Sequence, residues 1–128
     1  ESEHEKYIQR DYGDSVILHS FPVNSHPFWN MKESENNLFK KVDVILYGIE
    51  TIGSAERSCY REGMLRNFNK VSNGNYAKLL YNKFGKDRVD KELNEYLSLP
   101  MSPRFGGGIG MTRLIRAIKN VMQKNRNG

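Results

Sequence analysis

Between positions 105 and 110 the chain reads Phe-Gly-Gly-Gly-Ile-Gly, and four glycines in five positions constrain it more than any other stretch. Each glycine loses backbone entropy on folding and adds no side chain to a core. A run of them fits a sharp bend of the backbone, or a place where a flat ligand must lie close against it. Two familiar glycine motifs are excluded. A dinucleotide fingerprint counted from Gly106 needs a glycine where Met111 stands, and the Gly-Lys-Ser/Thr of a P-loop is absent. What remains is a glycine-rich strand entering a helix that carries Arg113 in its first turn. A helix N-terminus and an arginine fork together suit a phosphate. The plainer alternative is a tightly packed strand with a solvated arginine.

The rest of the chain gives this strand a setting. Its 128 residues suit one domain with a real core. Glu1 to Tyr12 predicts a short surface helix stopped at Gly13. Ser15 to Phe21 reads as a strand closed by Pro22. Val23 to Leu38 reads as a loop, and its Phe28, Trp29 and Met31 are expected to pack down rather than face water. Val42 to Leu46 is a strand; Tyr47-Gly48 can turn, and Ile49 to Ile52 can return beside it. Helical spacing of apolar residues marks Ser58 to Phe68, Tyr76 to Phe84 and Arg88 to Leu97. The last helix carries Met111, Leu114, Ile115, Ile118 and Met122 on one stripe. Strands first, with helices inserted before the glycine strand, predict an α+β fold with an antiparallel sheet.

The 42–52 hairpin carries the second candidate site. With a two-residue turn at 47–48, position 43 faces 52 and position 45 faces 50, so Asp43 and Glu50 sit diagonally on one sheet face. Two carboxylates so placed repel unless a cation lies between them. Mg²⁺ takes one or two carboxylates and completes its shell with water and phosphate oxygens. The alternative is two solvated strand residues. Arg57, seven positions beyond Glu50, has a fork suited to a carboxylate or amide, or else forms a surface ion pair.

Other features exclude more than they assign. One cysteine, Cys59, rules out an internal disulfide, and the three histidines show no ligand spacing. Cys59, with no evident base beside it, reads as an inert thiol, and His19 as a hydrogen-bonded structural residue. No apolar run approaches the ~20 residues of a membrane span, so no membrane partner is expected and a cytoplasmic location is the default. The net charge of +5 favours anionic partners only weakly. The basic tail of Arg113, Arg116, Lys119, Lys124 and Arg126 leaves RNA binding as an alternative without a recognised RNA module. The chain starts at Glu1 rather than Met, which leaves room for a longer parent protein.

Taken together, these segments resemble the class II aminoacyl-tRNA synthetases of the aspartate/asparagine/lysine subclass. The family's third motif, G-x-G-x-G-x-[E/D]-R, is matched by Gly106, Gly108, Gly110 and Arg113, with Thr112 in place of the acidic residue. The Asp…Gly-x-Glu…Arg pattern of aspartate-type members is matched by Asp43, Gly48-Ile49-Glu50 and Arg57 at the same spacings. His26-Pro27-Phe28 is similar to an H-P-F segment of bacterial aspartate enzymes, and Phe21-Pro22 to a strand-ending F-P. Arg104-Phe105 departs from the His-Gly or His-Ala pair of many members.

The resemblance implies that residues 1–128 are the C-terminal portion of a catalytic domain, part of the class II antiparallel sheet flanked by helices. Motif 3 falls at 106–113, and motifs 1 and 2 are absent. It implies an ATP site at Glu50, Gly108, Gly110, Met111, Thr112 and Arg113, with Arg113 and Glu50 catalytic. It implies Mg²⁺ at Asp43 and Glu50, and an amino-acid site at Arg57, His26 and Gly106. The implied activity is adenylation of asparagine or aspartate for transfer to tRNA by a homodimeric parent, the segment alone being inactive. An archaeal-type asparagine synthetase, which passes aspartyl-adenylate to ammonia, and a non-catalytic paralogue are the alternatives.

Overall fold

In a computed structural model of the chain, which describes residues 2–128, five helices and four strands follow one another as α1 (Ser2–Tyr12), β1 (Ser15–Pro22), β2 (Leu38–Leu46), β3 (Ile49–Arg57), α2 (Arg61–Lys70), α3 (Asn75–Phe84), α4 (Lys86–Ser98), β4 (Arg104–Ile109) and α5 (Met111–Asn127). The strands form one antiparallel sheet in the order β1-β2-β3-β4, and the fold is α+β, as the sequence predicts. The predicted first helix matches α1 except at Glu1, which lies outside the described residues.

The chain divides into two compact units. The first takes residues up to Ser20, Lys41–Ala55 and Gly106–Gly128, and so holds α1, α5 and most of the sheet. The β2–β3 turn is at Tyr47-Gly48 as expected, with Leu46 opposite Ile49. Both turn residues have positive φ, 50° and 70°. That is the combination whose twist matches paired antiparallel strands, and a glycine makes the second position free of strain. The amide of Tyr47 donates to the Asp14 carbonyl at 2.7 Å, which ties the turn to the start of β1.

The register departs from the expectation beyond the turn. Ile45 faces Glu50 as predicted, but Val44 faces Ile52 and Asp43 faces Gly53, not Ile52. Thr51 is the extra residue of a β-bulge. It is 2% exposed, and its hydroxyl donates to the Ile49 carbonyl at 3.1 Å. No turn signal in the sequence announces this bulge.

The second unit takes Phe21–Lys40 and Glu56–Phe105. Its core is Met64, Phe68, Ala77, Val89, Leu93 and Leu97, contributed by α2, α3 and α4. Trp29 packs edge-on against Phe68 and Tyr96 at ring separations of 5.7 and 5.4 Å, so Trp29 packs down as expected, whereas Phe28 stays 38% exposed. That segment also contributes isolated bridges, Met31 to Arg57 and Glu33 to Phe39. Gly85, at φ 84°, separates α3 from α4, and its amide closes α3 on the Tyr81 carbonyl at 2.9 Å.

Several boundaries differ from the sequence expectation. β2 begins at Leu38 rather than Val42, with Phe39 buried. β3 runs on to Arg57 rather than stopping at Ile52, through small residues that another strand can approach closely. α2 begins at Arg61 rather than Ser58, because the Ser58 hydroxyl accepts the Tyr60 amide at 3.1 Å and holds a turn there. In α5 only Ala117 is buried, while Met111, Ile115, Ile118 and Met122 of the expected stripe are exposed.

Candidate functional site

The bulge decides what lies beside Asp43. A regular hairpin would place the Ile52 side chain opposite it; the extra residue brings Gly53 there instead. A Cβ built on Gly53 would sit 2.7 Å from Glu50 Oε1 and 3.5 Å from Asp43 Oδ1. The two carboxylates therefore converge on the space that glycine leaves open. Asp43 is 4% exposed, which excludes the reading of two solvated strand residues. Its Oδ2 is held by the Lys41 ammonium, whereas its buried Oδ1 has no hydrogen-bond partner. An orphaned buried carboxylate oxygen is costly and calls for a cation or donor.

Glu50 shows the electrostatic consequence. Burial raises its pKa above the ordinary carboxylate range, and the Asp43 charge raises it further; Lys41 and Arg113 act in the opposite sense. Its backbone amide donates to Glu5 Oε2 at 3.1 Å, which brings a third carboxylate from α1. Among the described residues no cluster of three or more His, Cys, Asp and Glu side chains is arranged to hold a metal ion. The donor set is instead two carboxylates converging beside Gly53, as suits an ion that takes one or two carboxylates and keeps other oxygens in its shell.

The glycine strand lies on the other side of β3. None of its glycines has positive φ, so the run does not serve a sharp bend. Gly107 is explained by packing: a Cβ there would stand 2.8 Å from the Gly53 carbonyl oxygen and 2.7 Å from the Ser54 Cβ. At Gly110 a Cβ would stand 3.1 Å from Arg113 Cδ, so this glycine leaves room for the arginine stem. At Gly108 a Cβ would meet nothing within 4 Å. Packing does not account for Gly108, which leaves a bare stretch of backbone. The Gly110 amide donates to the Thr51 carbonyl at 2.8 Å, so the bulge residue also fixes the start of α5.

Arg113, in the first turn of α5, donates from Nη1 to the Glu50 carbonyl at 2.7 Å. This bond joins the motif at 106–113 to the carboxylate pair. The first turn has no acidic residue and no side-chain cap, leaving its amides for an anion. Met111 and Thr112 are both exposed there. Asp43, Glu50, Gly106, Gly108, Gly110, Met111, Thr112 and Arg113 thus all belong to the first unit.

Arg57 and His26 belong to the second unit. Arg57 donates from Nη1 to Asn30 Oδ1 at 3.3 Å. His26, at φ 53°, lines a small hollow with Pro27, Phe39, Asn67 and Lys70. The basic tail is partly engaged, since Lys124 pairs with Asp14. Sequence reasoning passed over Lys41, Thr51 and Gly53. Lys41 was within reach, because positions 41 and 43 share a strand face.

The chain is similar to known proteins along nearly its whole length. The family described as tRNA synthetases class II (D, K and N) matches residues 2–123. No curated protein matches the sequence. Among solved structures, an asparaginyl-tRNA synthetase from Pyrococcus horikoshii, complexed with asparaginyl-adenylate, superposes with a TM-score of 0.64 at 16% identity, covering 90% of this chain and 24% of that one. An aspartyl-tRNA synthetase from Entamoeba histolytica superposes with a TM-score of 0.58 at 23% identity, covering 91% and 22%. An asparaginyl-tRNA synthetase from the same organism gives 0.62 at 15%, covering 90% and 24%. The chain therefore spans about a quarter of the length of these structures. Given the match over residues 2–123, the chain belongs to the class II tRNA synthetase (D, K and N) family.

Proposed function

We propose that this chain is the C-terminal portion of a class II catalytic domain that adenylates aspartate or asparagine for transfer to tRNA. The observation that carries this reading is the junction of Arg113 with Glu50 beside a converged, partly unpaired carboxylate pair. ATP is the substrate whose phosphates this arrangement suits. Gly108 leaves bare backbone for the nucleotide, with Gly110, Met111 and Thr112 leading into the amides of α5. Arg113 neutralises phosphate charge. Asp43 and Glu50 would hold Mg²⁺, which, when bound, neutralises phosphate charge as the leaving group departs. Arg57, His26 and Gly106 would serve the amino acid.

In the proposed reaction a carboxylate oxygen of the amino acid forms a bond to the α-phosphorus. The bond from that phosphorus to the bridging oxygen breaks, and pyrophosphate leaves. The nucleophile is already an anion, so no residue is needed to remove a proton. The contribution of the protein is to hold the reactants in line and offset charge. The homodimer, the tRNA and a cytoplasmic location belong to the proposed parent. Among the described residues no helix is long and apolar enough to cross a membrane.

Amino-acid-dependent ATP–pyrophosphate exchange by the full-length protein carrying this segment tests the proposal, with aspartate, asparagine and lysine supplied separately. Exchange with aspartate or asparagine supports it, and transfer to tRNA against release of asparagine with ammonia identifies the acceptor. A folded full-length protein that exchanges with none of them overturns it in favour of a non-catalytic relative. Residues 1–128 alone should give no exchange on this reading, which assigns the rest of the nucleotide site to a longer parent.

A further inference from the structure

The carboxylate pair carries a cation of its own. Lys41 and Asp43 share a face of β2, and the Lys41 ammonium is bonded to Asp43 Oδ2. The pair is largely withdrawn from water, with side chains 21% and 6% exposed. The same ammonium interacts favourably with Glu50. Lys41 thus holds Asp43 directly and acts on Glu50 through its charge. The other charged groups there are Glu5 on α1, which accepts the Glu50 amide, and Arg113 on α5, which binds the Glu50 carbonyl.

We propose that Lys41 is a built-in competitor of the divalent cation, occupying the carboxylate pair until the ion displaces it. The inference rests on the metal site proposed above and adds a residue that sets its affinity. A buried and a half-buried carboxylate without a cation repel one another at a cost to the folded state. Lys41 offsets that repulsion in the unloaded protein through Asp43 Oδ2, while Oδ1 stays without a partner. An arriving divalent ion meets this positive charge at close range. It gains the carboxylates only as the ammonium swings off Asp43. Affinity is therefore lower than two carboxylates alone would give. The ion competes best when it arrives with phosphate oxygens, whose negative charge also draws the released lysine.

The test uses Mn²⁺ as the probe, with its binding to the 128-residue chain read from loss of the free-ion signal in electron paramagnetic resonance. Lys41→Met keeps an unbranched side chain one atom shorter and removes the charge. It should tighten Mn²⁺ binding by about tenfold or more, as expected for removing one close like charge. Lys41→Arg should bind as the native chain does. Asp43→Asn should weaken binding in both the native and the Lys41→Met backgrounds. Unchanged affinity in Lys41→Met, with Asp43→Asn still weakening it, would leave the metal site standing and overturn the role given to Lys41. Binding indifferent to Asp43→Asn, or no binding in any variant, overturns the site itself and this inference with it.

A second measurement needs no variant, should Lys41→Met fail to fold. Mg²⁺ added to the native chain should shift the side-chain ammonium and ε-methylene resonances of Lys41 together with the carboxyl carbon of Asp43. A shift of Asp43 with Lys41 unmoved overturns the displacement.

Discussion

At the scale of single residues, Glu50 and Gly108 carry most of the argument. Glu50 has its pKa raised by burial and by the neighbouring Asp43. Between the ordinary carboxylate range and that raised value, the folded chain holds a proton that the unfolded chain has released. Stability therefore falls as pH rises through this window. Glu50→Gln should melt at a higher temperature than the native chain at pH 7 in the presence of a chelator. The difference should vanish below pH ~4, where both states carry a protonated Glu50. Thermal unfolding followed by circular dichroism at several pH values checks both halves. The glycines separate in the same way. Gly107→Ala brings a Cβ against the Gly53 carbonyl oxygen and Ser54, and should destabilise by ~1–3 kcal/mol. Gly108→Ala points into open space and should leave stability nearly unchanged while weakening ATP binding. Chemical denaturation and nucleotide titration of the two variants distinguish a packing glycine from a ligand glycine.

At the scale of elements, a single extra residue links the site together. The Thr51 bulge places Gly53 rather than Ile52 opposite Asp43, and its carbonyl receives the amide that starts α5. The hairpin, its turn and the pairing of 45 with 50 were legible in the alternation of Val42–Leu46 and in Tyr47-Gly48. The bulge was not, because an extra residue leaves no mark in an alternation only four residues long. β3 was cut short at Ile52 for a related reason. Gly53, Ser54 and Ala55 have little strand propensity, and what makes them a strand is their pairing with Asp43, Val42 and Lys41 of β2. In the helical unit, Glu56 is buried and accepts Lys32 at 2.5 Å and Lys40 at 3.0 Å. Its hydrogen bonds to Lys32 and Lys40 hold its pKa below the ordinary carboxylate value. A depressed carboxylate contributes stability above its unfolded pKa and loses it as pH falls through the folded value. Glu56→Gln should accordingly lower the melting temperature at pH 7 and flatten the acid limb of the stability profile. An acid limb unchanged in the variant would show that this ion-pair cluster does not govern acid unfolding.

At the scale of the whole molecule, the helices of the two compact units differ in how completely they are buried. α2, α3 and α4 close a core around Met64, Phe68 and Leu93, and their periodicity made them readable from sequence. α5 is as strongly patterned, yet Ile115, Ile118 and Met122 stay exposed. Amphipathic spacing identifies a helix face without saying what covers it. The expectation of a nucleotide site came from spacings along two segments, 43–50 and 106–113, and the structure brings these together through the bond from Arg113 to the Glu50 carbonyl. Arg57 and His26, expected to serve the amino acid, belong to the other compact unit.

The central claim, that residues 43–53 and 106–113 form one magnesium-dependent ATP-binding half-site, is tested most directly by nuclear magnetic resonance. ATP is titrated into the isotope-labelled chain with and without Mg²⁺. The account predicts that the amides of Gly108, Gly110 and Arg113 shift together with those of Glu50 and Gly53, that Mg²⁺ strengthens the response, and that Arg113→Ala removes it. Shifts indifferent to Mg²⁺ and to Arg113, or confined to the basic end of α5, would contradict it.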